Sequence, residues 1–132
     1  MTIIGLAGSG KTFVENTLVS LVRKMFNSTT SVQIVAPTGA AAFNAGGSTI
    51  HFQFRINNNN INSIDVSEGI KEELKQQFLD TILLFVDERS RLSSNVLGRM
   101  KVTAEKSAHG GTKQSQNWGG IPLIVLLGDD NK

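Results

Sequence analysis

The chain has no cysteine. That excludes disulfides, thiolate metal sites and cysteine nucleophiles, and it suits a reducing compartment. It has no apolar run near the ~18 residues of a membrane span, so no membrane partner is expected. It has little charge of one sign. Thirteen Lys and Arg against 11 Asp and Glu leave a net +2, too small an excess to point to nucleic acid. No secretory leader or other targeting segment is visible: the short apolar run from Ile3 leads straight into glycines and Lys11. No internal repeat is present, and no linker is long enough to divide 132 residues, so one domain over 1–132 is expected. The hydrophobic fraction of 39% and charged fraction of 18% fit a soluble globular protein.

What is there alternates. Ile3–Leu6 is a short apolar run ending at glycine. Phe13–Phe26 is a helix candidate, with Val14, Leu18, Leu21, Val22 and Met25 at helical spacings. Val32–Ala36 reads as a strand stopped by Pro37. Val66–Leu79 is charged and helical in pattern. Ile82–Val86 is five apolar residues running into Asp87 and Glu88. Asn95–Lys106 is a weaker helix, and Ile121–Leu127 a further apolar run ending at Gly128 and Asp129. Continuous apolar strands between helices predict an α/β fold, a parallel sheet covered by helices on both faces. Ligands of such sheets sit at the carboxyl ends of the strands, and three strands here end in polar residues. The asparagine run Asn57–Asn60 and the Gly/Ser/Gln/Asn-rich stretch Ser107–Gly120 read as loops.

Gly5-Leu6-Ala7-Gly8-Ser9-Gly10-Lys11-Thr12 completes the pattern GxxxxGK[ST] between a strand and a helix. Its glycines allow a turn that a Cβ would block. The turn aims amides of Gly5, Ala7, Gly8, Ser9 and Gly10 at phosphate oxygens, and the helix from Thr12 adds the positive end of its dipole. Lys11 would bridge the β- and γ-phosphates, and the Thr12 hydroxyl would take one position on Mg²⁺. The substrate implied is ATP. The bland alternative is a glycine-rich turn with a solvated lysine.

Ile82-Leu83-Leu84-Phe85-Val86 delivers two acids to the sheet edge. Asp87 would hold Mg²⁺, directly or through water, and Glu88 would orient and deprotonate the attacking water. Lys11 and Glu88 are thus the candidate catalytic pair. The alternative is a strand ending in solvated charges. Asp129 either senses the γ-phosphate or caps a turn, and both readings stay open here.

The stretch Ala36-Pro37-Thr38-Gly39-Ala40-Ala41-Ala42-Phe43-Asn44, continuing through Gly46-Gly47-Ser48-Thr49-Ile50-His51, resembles motif Ia of the Pif (petite integration frequency) family. These are superfamily-one DNA helicases related to RecD and to Helitron helicases. Gly5–Thr12 is similar to the family's motif I. Val86-Asp87-Glu88 with Ser90 resembles motif II, and Trp118-Gly119-Gly120-Ile121-Pro122 leading to Gly128-Asp129-Asp130 resembles motif III. The resemblance implies a P-loop NTPase with a RecA-like sheet. It further implies ATP hydrolysis coupled to 5′-to-3′ movement on single-stranded DNA, roles in repair, recombination and telomere maintenance, and a nuclear or mitochondrial location. It implies that the DNA strand lies along Pro37, Thr38, Gly39, His51 and Phe52, with amides and Thr38 on phosphates and His51 or Phe52 on sugar or base. Taken without the resemblance, His51 reads as a turn-satisfying histidine, and Phe43, Phe52 and Phe54 read as core.

The chain departs from the family at Arg89 and Arg91, where apolar residues are usual, and at Lys132, where a glutamine is usual. Buried arginines would be expensive, so the loop is expected to turn outward or the copy to be damaged. The resemblance also leads us to expect an incomplete RecA-like domain, lacking the second motor domain and its arginine finger, and so incompetent alone. Two alternatives to a helicase are a nucleotide- or DNA-binding fragment without turnover and a P-loop small-molecule kinase. The kinase reading needs a basic lid, which is not found. Oligomeric state is left open.

Overall fold

A computed structural model describes residues 2–5, 10–56, 67–107 and 117–129. Its strands are β1 (Thr2–Gly5), β2 (Val32–Ala36), β3 (Ser48–Thr49), β4 (Leu83–Val86) and β5 (Leu123–Asp129). They form one five-stranded sheet in the order β1-β5-β4-β2-β3. Every pairing is parallel. The helices are α1 (Lys11–Phe26), α2 (Gly39–Ala45), α3 (Ile50–Gln53), α4 (Glu68–Phe78) and α5 (Ser94–Ser107), with 3-10 turns at Thr29–Ser31, Arg89–Arg91 and Asn117–Gly120.

Four apolar residues in a row put β4 at the centre, where all four are fully buried. Successive side chains of a strand point to opposite faces. Leu83 and Phe85 therefore pack with Val32, Ile34, Val125 and Leu127 under Val19 and Val22 of α1. Leu84 and Val86 pack on the other side with Val35, Ile50, Phe54, Met100 and Ala104, below α3 and α5. This is the predicted sheet with helices on both faces, and burying β4 on both sides is what makes it the centre.

The predicted elements lie within two residues of the observed ones, except where the prediction reached Leu6 and Val66, which fall outside the described residues. The face of α1 differs from its apparent apolar stripe. Leu18 and Val22 pack against the sheet core, but Val14, Leu21 and Met25 are exposed, and Glu15 and Val19 are buried instead. The motif Ia stretch also holds α2, β3 and α3, which periodicity did not reveal because each is short. Their caps are local. The Thr38 hydroxyl accepts from the Ala41 amide at 3.2 Å, and Gly46 closes α2 with φ +75°. The Thr49 hydroxyl accepts from the Phe52 amide at 3.3 Å and opens α3. Gly47 lies so close to β2 that a Cβ there would stand 2.2 Å from the Ile34 carbonyl oxygen.

The stretch Ser107–Gly120 is not all loop. Ser107 ends α5, and Asn117–Gly120 forms a turn with Trp118 at φ +57° packed against the Met100 side of the core. Residues 108–116 and the run Asn57–Asn60 lie outside the described residues.

Candidate functional site

The carboxyl ends of β1, β5 and β4 lie side by side on one edge of the sheet. Register sets Gly5 level with Asp129 and Val86 level with Leu126. Gly10 adopts φ +89° and ψ +15° as the residue before α1, a conformation open to glycine and strained for other residues. Its carbonyl accepts from the Val14 amide at 3.1 Å, so α1 starts with its first amides unspent by the helix. The backbone of Lys11 and Thr12 forms that first turn. Ala7, Gly8 and Ser9 of the proposed cradle lie outside the described residues.

Asp87 follows β4 directly. Its amide donates to the Val35 carbonyl at 2.9 Å, which holds it on the sheet, and its Oδ1 accepts from the Glu88 amide at 2.8 Å. Glu88 sits at φ +53° and ψ +44°, left-handed backbone that costs a non-glycine residue about 1 kcal/mol and recurs where a side chain must be aimed. Its Oε2 has no hydrogen-bond partner and lies 3.7 Å from the Arg91 Nε. Arg89 and Arg91 are exposed, which settles the question their charges raised: the turn after Asp87-Glu88 faces outward. That turn touches the end of β5. A Cβ on Gly128 would stand 3.3 Å from the Ser90 amide nitrogen, so a side chain there would crowd the two loops.

Sequence reasoning missed Glu15. It is 5% exposed, and its Oε1 has no hydrogen-bond partner. Burial, and then the nearby Asp87 charge, push its carboxyl up to about 7. The signal was available. Glu15, Val19 and Val22 are spaced by 4 and 3, so a carboxylate stands on the buried stripe of α1, three and four residues beyond Thr12 and Lys11.

The other candidate residues gather at the ends of β2 and β3. Pro37 and Thr38 leave β2, Gly39 opens α2, and His51 and Phe52 lie on α3. Gly39 has open space where a Cβ would be. The expectation of three core phenylalanines fails for two. Phe54 is 1% exposed, but Phe52 is 66% and Phe43 86% exposed. The helices are the reason. α2 turns Ala41 and Ala42 to the sheet, and α3 turns Ile50 and Gln53 inward, so Phe43 and Phe52 have no inward direction left.

The structure thus brings the starts of α1 and the Asp87-Glu88 turn to one stretch of the sheet edge, and sets Thr38, His51 and Phe52 on the neighbouring stretch. Asp129 ends β5 within the first group, whereas Lys132 lies outside the described residues.

Comparison with known proteins covers nearly the whole chain. The chain is 31% identical over 127 residues to the ATP-dependent DNA helicase RRM3 of Saccharomyces cerevisiae, covering 95% of this chain and 17% of that protein. Its structure is similar to that of unliganded Pif1 from Bacteroides, with a TM-score of 0.74 and 29% identity over 97% of this chain and 27% of that one. It is likewise similar to Bacteroides Pif1 helicase in complex with ADP-AlF3 and ssDNA, with a TM-score of 0.70 and 28% identity over 97% of this chain and 28% of that one. The family model for the PIF1-like helicases matches residues 1–132, and the chain belongs to that family.

Proposed function

We propose that this chain is the ATP-binding part of an ATP-dependent DNA helicase that moves 5′ to 3′ on single-stranded DNA. One observation carries the reading. The glycine-led start of α1 and the Asp87-Glu88 pair follow strands β1 and β4 at the carboxyl edge of a parallel sheet, with only β5 between those strands. A helix start with unspent amides, the lysine that the sequence puts on it and two carboxylates would together suit a nucleoside triphosphate.

In this reading Gly5, Ala7, Gly8, Ser9, Gly10, Lys11 and Thr12 hold the triphosphate, with Asp129 near its γ end. Glu88 takes the proton from the attacking water. Its left-handed backbone breaks the line of β4 at this residue. Thr12 and Asp87 would hold Mg²⁺. The fit is supported by the orphaned, buried Glu15 Oε1 in the neighbourhood of Asp87, since an unmet acceptor close to a carboxylate is what a divalent cation or its bound water relieves. When bound, the ion would neutralise charge developing on the phosphate oxygens.

Single-stranded DNA would run over Pro37, Thr38, Gly39, His51 and Phe52. The Thr38 hydroxyl uses an oxygen lone pair for its cap, which leaves its proton to donate to a phosphate. Exposed Phe52 offers a face for a base. Roles in repair, recombination and telomere maintenance, and a nuclear or mitochondrial location, belong to the same proposal.

A second reading, binding without turnover, is favoured by the Arg91 guanidinium 3.7 Å from the Glu88 carboxylate, where it would compete with the attacking water. ATP hydrolysis by the chain joined to a second motor domain of the family separates the two, because the chain alone is expected to be incompetent in either reading. Turnover stimulated by single-stranded DNA and reduced at least ~100-fold by Glu88→Gln supports the helicase reading. Nucleotide binding with no turnover in either form supports the second.

A further inference from the structure

Arg55 follows the Phe54 cap of α3, and its backbone there is unusual. Its amide approaches the Phe52 carbonyl at 3.4 Å, and the Ile56 amide reaches back to His51 at 2.9 Å. Such helix endings favour glycine because the closing residue is left-handed, and Arg55 has φ +54°. An arginine held in a glycine conformation needs a reason.

Its side chain supplies one. It folds back over Phe52, with the guanidinium carbon 5.0 Å from the ring centroid. Its Nη1 donates to the Phe52 carbonyl. Its Nε lies 3.7 Å from the Glu73 carboxylate on α4. That anchor is itself fixed: Gln77 donates to the Gln53 carbonyl at 3.0 Å, and the Phe54 and Phe78 rings lie 5.2 Å apart. Phe52 is therefore an exposed aromatic covered on one face by a tethered cation. A free phenylalanine on a surface swings among rotamers, and binding must stop that motion. A guanidinium on one face limits it and leaves the other face for a base.

We propose that Arg55 is a positioning residue that holds Phe52 as a one-sided platform for a single nucleobase of single-stranded DNA. This rests on the DNA-binding reading above. Arg55 acts through the ring, and the αL backbone at Arg55 is the means by which its side chain reaches that ring.

The test uses the full chain and an oligodeoxythymidylate carrying 2-aminopurine, whose fluorescence is quenched by stacking. Phe52→Ala should abolish the change in quenching on binding and weaken affinity about tenfold. Arg55→Gly keeps a residue suited to the left-handed backbone, so the fold should hold or gain thermal stability, while quenching falls as in Phe52→Ala. The double variant should bind no more than about twofold more weakly than Phe52→Ala alone, because both changes remove one interaction. Additive losses would overturn the proposal. So would normal quenching in Arg55→Gly with a salt dependence shallower by about one unit, since that marks a plain phosphate contact. If the unchanged chain binds no oligonucleotide, both this proposal and the DNA-binding reading fail; if it binds and only the coupling is missing, this proposal alone fails.

Discussion

The two stretches of the sheet edge are built on different physical terms. At β1, β5 and β4 the chemistry is carried by backbone and charge: a left-handed glycine, the first turn of a 16-residue helix, two carboxylates after a buried strand and a third beneath them. At β2 and β3 it is carried by short helices that threonines cap, with aromatic side chains turned outward. The first can hold a small, highly charged ligand in one place. The second is an open surface that suits a chain passing over it. In the proposed reading, a site for a fixed ligand and a track for a moving one need this difference, and the two would be joined by adjacent strands β4 and β2.

The largest way to break the comparison is at Gly47. A Cβ 2.2 Å from the Ile34 carbonyl oxygen meets backbone that cannot move aside, so Gly47→Ala should cost about 3 kcal/mol or more. Urea unfolding should show the loss. Because the clash lies between the start of β3 and β2, the track should suffer more than the phosphate end. Hydrogen exchange should rise first at the α2 and α3 amides.

Next in size is Glu15. Its carboxyl is raised from 4.5 to about 7 in the fold, so the fold prefers it protonated. The associated stability is fully present below pH 4.5 and is lost as pH rises through about 7. A shift of that size corresponds to an upper limit of about 3 kcal/mol. Glu15→Gln should flatten the stability curve over that window and leave the variant more stable at pH 8 without Mg²⁺. Denaturant midpoints across pH check this. The change should not touch the DNA track, which sharpens the separation of the two regions.

The smallest effect is expected at Thr38→Ala. Losing the cap on the Ala41 amide should cost about 1 kcal/mol by thermal unfolding. Nucleotide affinity should stay unchanged, while single-stranded DNA affinity falls a fewfold.

Legibility in the sequence followed the same division. The proposed phosphate end is legible as a candidate because its residues are contiguous: Gly5–Thr12 and Ile82–Glu88 each carry strand, turn and candidate ligand groups in one run. The parallel sheet followed from those apolar runs. Glu15 was not read, since one polar residue on a helical stripe looks like noise until burial shows which stripe faces the sheet. The exposure of Phe43 and Phe52 was not read either. Hydrophobicity alone sends a phenylalanine inward, and only the rotation of α2 and α3 sends these two out. Resemblance offered Phe52 as a candidate DNA contact where residue chemistry did not, and neither drew attention to the left-handed Arg55.

The most direct measurement is the Mg²⁺-ATP binding isotherm of the chain and of Lys11→Ala, followed by a fluorescent ATP analogue. If the start of α1 and the Asp87-Glu88 turn form one nucleotide site, Lys11→Ala lowers affinity at least ~100-fold, and Phe52→Ala leaves it unchanged. Equal nucleotide affinity in the chain and in Lys11→Ala would contradict that site outright.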